Sequence, residues 1–243
     1  MSTSQVPVSE GFVPFSVAGA PGSQCQTWYK VYGTLPSSNS SVAETTAAVH
    51  PRPLVILHGG PGACHNYMLG VSGLTAAPHS FGCVILYDQL GNGNSTHLRD
   101  RRLDTAFWTP ELFMAELDNL LRHLGVDASY DLLGHSWGGM LGAMFALSAH
   151  PSVAGLRRLV ISNSPCSMEL WVQASDRLRR GLPREVDEVL ERHERAQTYD
   201  DPEYETAVLE FYKRHLCRVF PFPKDVQDTL GWLKTDDTVY FTM

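Results

Sequence analysis

The sequence predicts an α/β fold with a mostly parallel sheet and an added helical subdomain. Over the first two thirds of the chain, short, continuously apolar runs alternate with helix-like segments, as expected when helices cover both faces of parallel strands. After about Ser167 these runs stop, and charged helical sequence follows. We therefore predict a core over residues 1–166 and a helical cap over residues 167–243.

The N-terminal region is predicted to contain two strands and a loop before the buried part of the sheet. The pieces GFVPFSV and QTWYKVYGTL have the aromatic and β-branched content of half-buried strands. Residues 36–53 are small, polar and bounded by prolines, which indicates a surface loop. The next two runs, LVIL and CVILY, lack polar alternation and are predicted to be buried parallel strands.

A helix is predicted for the segment WTPELFMAELDNLLRHLG. Thr109 can cap its N-terminus, Pro110 suits the first turn, and Gly125 can supply a left-handed stop. Its apolar positions fall on one face and are Leu112, Phe113, Leu117, Leu120, Leu121 and Leu124. The strand YDLLG, the small-residue helix WGGMLGAMFALSAH and the buried strand LRRLVIS complete the predicted core.

Composition narrows the classes of function. The 243 residues are 43% hydrophobic, enough for one sizeable core, and the formal net charge of -7 argues against a nucleic-acid partner. Five scattered cysteines lack CxxC spacing, so neither a disulfide framework nor a metal site is predicted. No signal-peptide or membrane-spanning run is found, which predicts a cytoplasmic protein without a membrane partner.

The pattern GHSWG, from Gly134 to Gly138, predicts a nucleophile. An apolar strand precedes Ser136 and a helix of small residues follows it, so the serine lies at a tight strand-to-helix turn. Such a turn strains the backbone, needs small neighbours and exposes the hydroxyl at the carboxyl edge of the sheet. The alternative is that Ser136 only caps a helix between two packing glycines.

A second glycine-rich motif, HGGPG, directly follows the strand LVIL. In enzymes built around such a serine turn, one oxyanion donor belongs to the residue after the nucleophile and the other to a glycine-rich loop. We therefore predict that the N–H groups of Gly60 and Trp137 form an oxyanion hole. His58 is interpreted as a structural residue that orients the loop, and a simple tight turn is the alternative for the motif.

The segment YDQLGNGNST follows the strand CVILY. Asp88 and Gln89 are predicted to form hydrogen bonds that hold the loops around the site. The triplet GNG is only part of a dinucleotide fingerprint, and no helix follows it immediately. No cofactor is therefore predicted.

With HGGPG, YDQLGNGNS and GHSWGG in this order and spacing, the chain resembles the proline iminopeptidase family of α/β-hydrolases from about residue 10 to the end. The resemblance implies a serine hydrolase with a helical cap, which removes an N-terminal residue, often proline, from small peptides or cleaves amino-acid amides. It also implies that cap carboxylates hold the substrate ammonium. Glu203 in DPEYET is the matching position and Glu205 lies close by, the alternative being an ordinary solvated acidic helix start.

The family pattern continues past the cap with further strands, a triad aspartate and a late histidine. The resemblance therefore implies that the C-terminal part of the sheet and the triad acid and base are missing here. The histidines after Ser136 are His150, His193 and His215; none follows a predicted sheet strand, and His193 is predicted to be solvated. An exposed sheet edge is expected, through which the protein could oligomerise.

Three functions remain open at this level. The first is an aminopeptidase or amidase of the proline iminopeptidase type, which forms an acyl-enzyme on Ser136. The second keeps the fold but acts on an ester, lactone or amide of a specialised metabolic pathway. The third is a catalytically impaired protein that serves as an interaction module, which the missing triad acid and base would favour.

Overall fold

The computed structural model describes residues 6–17, 24–36, 52–76 and 81–243. The chain divides into two compact units, one of Met1–Ser164 with Asp228–Met243 and the other of Pro165–Gln227. The predicted boundary after residue 166 lies close to this division. The predicted cap, residues 167–243, ends too late, because residues 228–243 belong to the first unit and bury Val239 in its core.

Within the described residues, the first unit is built on a six-stranded sheet with the order β1-β2-β4-β3-β5-β6. The strands are β1 (Val8–Phe15), β2 (Cys25–Gly33), β3 (Leu54–Leu57), β4 (Cys83–Tyr87), β5 (Tyr130–His135) and β6 (Leu156–Ser162). Strand β2 is antiparallel to β1 and β4, whereas β3 to β6 run parallel. The predicted mostly parallel sheet is confirmed, and most of the predicted loop at 36–53 lies outside the described residues.

Helices flank the sheet and form the second unit. The α-helices are α1 (Pro110–His123), α2 (Trp137–Ala146), α3 (Met168–Arg179), α4 (Arg184–Ala196), α5 (Pro202–His215), α6 (Lys224–Thr235) and α7 (Thr238–Thr242). Short 3₁₀ helices span Asn66–Thr75, Arg99–Arg101 and Pro151–Gly155. In the described ranges, no helix is long and apolar enough to cross a membrane.

The core of the first unit forms where the predicted patterns place it. All residues of β3 and β4 are buried. The apolar face of α1 is buried as well, except that Leu112 is only partly covered. Thr109 caps this helix by accepting a hydrogen bond from Leu112 N at 3.4 Å, and Gly125 ends it with a φ of 65°.

Strand β6 forms an edge of the sheet. None of its seven residues is buried, and Val160 and Ile161 are 48% and 53% exposed. The prediction that this strand is buried is therefore wrong, because within the described residues β6 has a neighbour, β5, on one side only. Oligomerisation through this edge stays a prediction.

Candidate active site

Ser136 stands at the turn between β5 and α2, as the sequence predicts. Its backbone has φ 53° and ψ −122°, a region that disfavours residues with a Cβ, so the predicted strain is confirmed. The Ser136 N–H donates to Ser162 O at 3.0 Å, and the Ser136 carbonyl accepts a hydrogen bond from Ser164 Oγ at 2.7 Å. The turn is thus held in place by the segment at the end of β6.

Glycines allow the backbone to pack closely around this turn. An added Cβ on Gly134 would lie 2.2 Å from Gly138 O, and one on Gly138 would lie 2.1 Å from Leu57 O. Both glycines of GHSWG are therefore required by packing. A Cβ on Gly59 would lie 3.1 Å from the Ser136 Cβ, which places the HGGPG loop directly beside the serine.

His58 and Gln89 connect the HGGPG and GHSWG motifs through buried hydrogen bonds. Gln89 N donates to His58 Nε2 at 3.0 Å, and Gln89 Nε2 donates to His58 O at 3.1 Å. The indole Nε1 of Trp137 donates to Gln89 Oε1 at 3.0 Å. His58 Nδ1 lies 2.9 Å from Gly59 O, so the ring carries its proton on Nδ1, and burial lowers its pKa. His58 is therefore a neutral residue that orients the loop.

Asp88 organises the loop after β4. Its Oδ1 accepts a hydrogen bond from His65 N at 2.8 Å and lies 2.8 Å from the Nδ1 atom of the same histidine, while its Oδ2 accepts from Asn94 N at 2.9 Å. An added Cβ on Gly93 would lie 2.2 Å from Oδ2, so the glycine lets the backbone close around the carboxylate. Asp88 is fully buried and holds loops, as predicted.

Tyr67, in the 3₁₀ helix Asn66–Thr75, is a residue near the serine that sequence reasoning misses. Its hydroxyl oxygen accepts a hydrogen bond from Gly59 N at 2.6 Å and lies 2.9 Å from His135 Nδ1. The rings of Tyr67 and His135 make an edge contact with their centroids 5.3 Å apart. No local motif marks this tyrosine, because its contacts join segments that are distant along the chain.

Glu116 is a second residue that the sequence pattern misses. Although it lies in α1, it is fully buried, and burial raises its pKa to about 7. Thr27 Oγ1 donates to its Oε1 at 2.5 Å, and Leu90 N donates to both carboxyl oxygens at 3.0 Å. A glutamate within a helix is ordinarily solvated. Only the three-dimensional structure shows that Glu116 holds the loop after β4 through hydrogen bonds.

One hydroxyl and two backbone N–H groups at this site have no hydrogen-bond partner among the described residues. Within the described part of the chain, neither Ser136 Oγ nor the backbone N–H of Gly60 or of Trp137 makes a hydrogen bond inside the protein. One hydroxyl and two N–H donors are thus available to a substrate. Such a combination suits attack on an ester or amide carbonyl.

None of the histidines in the described ranges is hydrogen-bonded to Ser136 Oγ. His150 stacks on Phe145 with the ring centroids 5.7 Å apart, and the His215 ring lies 4.8 Å from that of Phe211. A general base must come within about 3 Å of the hydroxyl, or reach it through one water. Among the described residues, the Ser136 hydroxyl therefore has no histidine hydrogen-bonded to it.

The predicted substrate-binding carboxylates Glu203 and Glu205 lie in the second unit, in the first turn of α5. Glu203 Oε2 pairs with Arg192 Nη2 at 2.5 Å and lies 3.4 Å from His193 Nε2. The hydrogen bond from Arg192 lowers the pKa of Glu203. His193 is only 7% exposed, so the prediction that it is solvated is wrong: its ring turns into the helical unit.

The same helical unit holds a group of side chains that could contact a metal ion. His193, Asp201 and Glu203 place their ligand atoms within 4.8 Å of one another. Arg192 already pairs with Glu203, and Asp201 caps α5 by accepting a hydrogen bond from Glu203 N. These pairings account for the group without a metal.

Comparison with known proteins supplies relatives along most of the chain. A family model described as the alpha/beta hydrolase fold matches residues 52–234. A proline iminopeptidase of Lactobacillus delbrueckii subsp. lactis is 38% identical over 169 residues, which is 70% of this chain and 55% of that protein. A proline iminopeptidase of Clostridium botulinum is 33% identical over 208 residues, 86% of this chain and 61% of that protein. The chain thus spans little more than half the length of these curated relatives.

Two solved structures resemble the whole described fold. The crystal structure of VinJ is 46% identical, with a TM-score of 0.83 over 97% of this chain and 70% of that one. The crystal structure of proline iminopeptidase from Mycobacterium smegmatis is 41% identical, with a TM-score of 0.75 over 96% of this chain and 69% of that one. The similarity therefore extends over both the sheet and the helices that follow it.

Proposed function

Because the chain belongs to the proline iminopeptidase family of α/β-hydrolases, we propose that it is a serine hydrolase with Ser136 as its nucleophile. The observation that carries this proposal is the strained conformation of Ser136 with an unpaired hydroxyl. Strain of this kind costs about 1–3 kcal/mol. A serine that merely capped α2 would accept a hydrogen bond from the first turn, and the Ser136 side chain makes none.

In the proposed reaction, Ser136 Oγ attacks the carbonyl carbon of an amide or ester. The new C–O bond gives a tetrahedral intermediate, whose negative oxygen would accept hydrogen bonds from the N–H groups of Gly60 and Trp137. Each such donor is worth about 3 kcal/mol of transition-state stabilisation. Collapse of the intermediate breaks the C–N or C–O bond to the leaving group, which departs as an amine or alcohol with a proton taken from water. The acyl-enzyme that remains is then hydrolysed by water.

Removal of the Ser136 proton is the step for which the described residues place no side chain. Loss of triad members costs a serine hydrolase on the order of a million-fold in kcat, and oxyanion stabilisation with substrate binding leaves about a thousand-fold acceleration over water. The hydroxyl itself remains necessary for that residual reaction.

The proposed substrates are small peptides with a free N-terminal residue, proline-like, or amino-acid amides. The similarity to proteins named proline iminopeptidase supports this choice. Glu203, kept ionised by Arg192, would share its charge with the substrate ammonium, and Glu205 is the second candidate. A carboxylate is a suitable partner for an ammonium group that binding removes from water.

The proposal is tested by hydrolysis of proline p-nitroanilide with the purified chain. Release of p-nitroaniline above the rate of a Ser136→Ala variant is the expected result. A panel of p-nitrophenyl esters without an amine separates the alternatives, because faster turnover of these esters would favour an esterase. Reaction of neither class above the Ser136→Ala rate would refute the serine hydrolase for this chain.

The proposed binding of the substrate ammonium by Glu203 is tested by comparing two glutamate variants. Glu203→Gln is expected to raise KM for proline p-nitroanilide several-fold and to leave ester hydrolysis unchanged, since only the first substrate has an ammonium. Glu188→Gln is the matched control, because Glu188 pairs with Arg184 on the exposed surface of α4. An equal effect of both variants would argue against ammonium binding by Glu203.

A further inference from the structure

Tyr67 is placed between the two backbone segments that would form the oxyanion hole. Its hydroxyl contacts Gly59, which precedes the predicted donor Gly60, and His135, which precedes Ser136. Its backbone N–H donates to Thr229 Oγ1 at 3.1 Å, so the tyrosine is also fixed from its own main chain. A single hydroxyl group therefore contacts both halves of the site.

The protons of this contact can be assigned. The Tyr67 oxygen accepts the Gly59 N–H, and burial raises the pKa of Tyr67, so the hydroxyl keeps its proton. Burial lowers the pKa of His135, so that ring is neutral. The tyrosine proton then has His135 Nδ1 as its acceptor at 2.9 Å, which leaves the imidazole proton of His135 on Nε2.

We propose that the Tyr67 hydroxyl is a positioning group, which holds the Gly59–Gly60 loop and the Ser136 turn at a fixed spacing. The proposal rests on the serine hydrolase function above. Glycines have few conformational restraints of their own, and Gly60 has a φ of 123°. A contact from another residue is therefore needed to fix the orientation of the N–H groups in this loop. The hydroxyl supplies that contact next to Gly60, on the same side chain that touches the nucleophile turn.

Pre-positioned donors act only if they lie where the charge of the transition state develops. Without the hydroxyl, the Gly59 N–H loses its acceptor and the loop gains freedom to move away from Ser136. We expect an effect on kcat and little on KM, because the oxyanion contact strengthens in the transition state. Direct loss of an oxyanion donor costs about 100- to 1,000-fold, so loss of a positioning group is expected to cost about tenfold.

The experiment compares Tyr67→Phe with Tyr130→Phe. Tyr130 is a matched control, because it is a buried tyrosine of β5 whose hydroxyl donates to Ser152 O at 2.9 Å, in the 3₁₀ helix Pro151–Gly155. Turnover of the best substrate found above gives kcat and KM for each variant. Two further readouts do not need activity: the hydrogen-exchange rate of the Gly59 amide, and the ¹⁵N chemical shifts of the His135 ring, assigned with a His135→Gln variant.

The proposal predicts that Tyr67→Phe lowers kcat about tenfold with KM nearly unchanged, speeds exchange of the Gly59 amide and abolishes the preference for the Nε2–H form of His135. Tyr130→Phe should change none of these quantities. Wild-type kcat in Tyr67→Phe, or the same loss in Tyr130→Phe, would overturn it. If no variant, wild type included, exceeds the Ser136→Ala rate, the serine hydrolase function fails, and the positioning role is then decided by the amide and ring measurements: unchanged values overturn it.

Discussion

An added Cβ on Gly138 would lie 2.1 Å from the carbonyl oxygen of Leu57. The first turn of α2 therefore sits directly on the end of β3, the strand that leads into HGGPG. Because neither backbone has room for another atom, this contact sets how closely the serine turn approaches the oxyanion loop.

Replacement of this glycine should be costly. We expect Gly138→Ala to lower the free energy of unfolding by about 3 kcal/mol, because the backbone must shift to admit a methyl group. Gly231→Ala is the control in α6, where nothing lies within 4 Å of an added Cβ, and it should raise stability by about 0.5–1 kcal/mol. Urea unfolding followed by circular dichroism measures both. Similar values for the two variants would contradict the close contact with Leu57.

The strain at Ser136 gives a second prediction. Ser136→Ala and Ser136→Gly both remove the hydroxyl, but only glycine relaxes a backbone with φ 53° and ψ −122°. We expect Ser136→Gly to be more stable than Ser136→Ala by about 1 kcal/mol, with both variants inactive. Thermal unfolding monitored by circular dichroism compares them. Equal midpoints would mean that the turn stores no strain.

A structural feature of this protein is predictable from the sequence when the residues that cause it lie close together along the chain. GHSWG and HGGPG are local patterns whose backbone geometry follows from a few neighbouring residues, and the strained Ser136 turn lies where the pattern places it. Likewise, the capping by Thr109 and the buried runs of β3 and β4 follow from short-range signals. These features were predictable because their causes lie within one segment.

Features that join distant segments were not predicted. Tyr67 touches Gly59 and His135, and Glu116 binds Thr27 and Leu90, through contacts that no spacing rule encodes. Strand β6 has the apolar content of a buried strand, but burial depends on its neighbours in the sheet. Similarly, residues 228–243 read as a continuation of charged helices, while the core contact of Val239 assigns them to the first unit.

Asp236 and Asp237 are adjacent residues whose polar contacts differ in burial. Asp236 Oδ2 lies 2.5 Å from His97 Nδ1, and the aspartate side chain is only 3% exposed. The Asp237 carboxylate contacts two nitrogens of Arg102, both at 2.9 Å, and the two side chains are 38% and 45% exposed. We expect Asp236→Asn to lower the free energy of unfolding by about 2 kcal/mol and Asp237→Asn by less than about 1 kcal/mol, measured by urea unfolding at neutral pH.

The pH dependence provides a check on the Asp236 effect. Burial raises the pKa of Asp236, but hydrogen bonds with Thr238 and His97 outweigh it and the pKa is lowered. A carboxyl with a lowered folded-state pKa stabilises the fold above its ordinary pKa, and this contribution is lost as pH falls through the folded value. The gap in stability between wild type and Asp236→Asn should therefore narrow in acid. A gap that widens in acid would contradict this assignment.

Glu116 should make the fold less stable as pH rises. Its pKa is about 7 in the fold because of burial, against an ordinary value of 4.5, so folding takes up a proton between these values. The contribution of this proton to the free energy of unfolding is fully present below pH 4.5. It is lost as pH rises through 7, a total change of about 3 kcal/mol. Glu116→Gln should remove this pH dependence, because glutamine does not titrate. The glutamine oxygen can still accept the hydrogen bonds from Thr27 and Leu90. Urea unfolding at pH 5 and pH 8 gives the slope, with exposed Glu111→Gln in the same helix as control, and an undiminished slope in Glu116→Gln would refute the assignment.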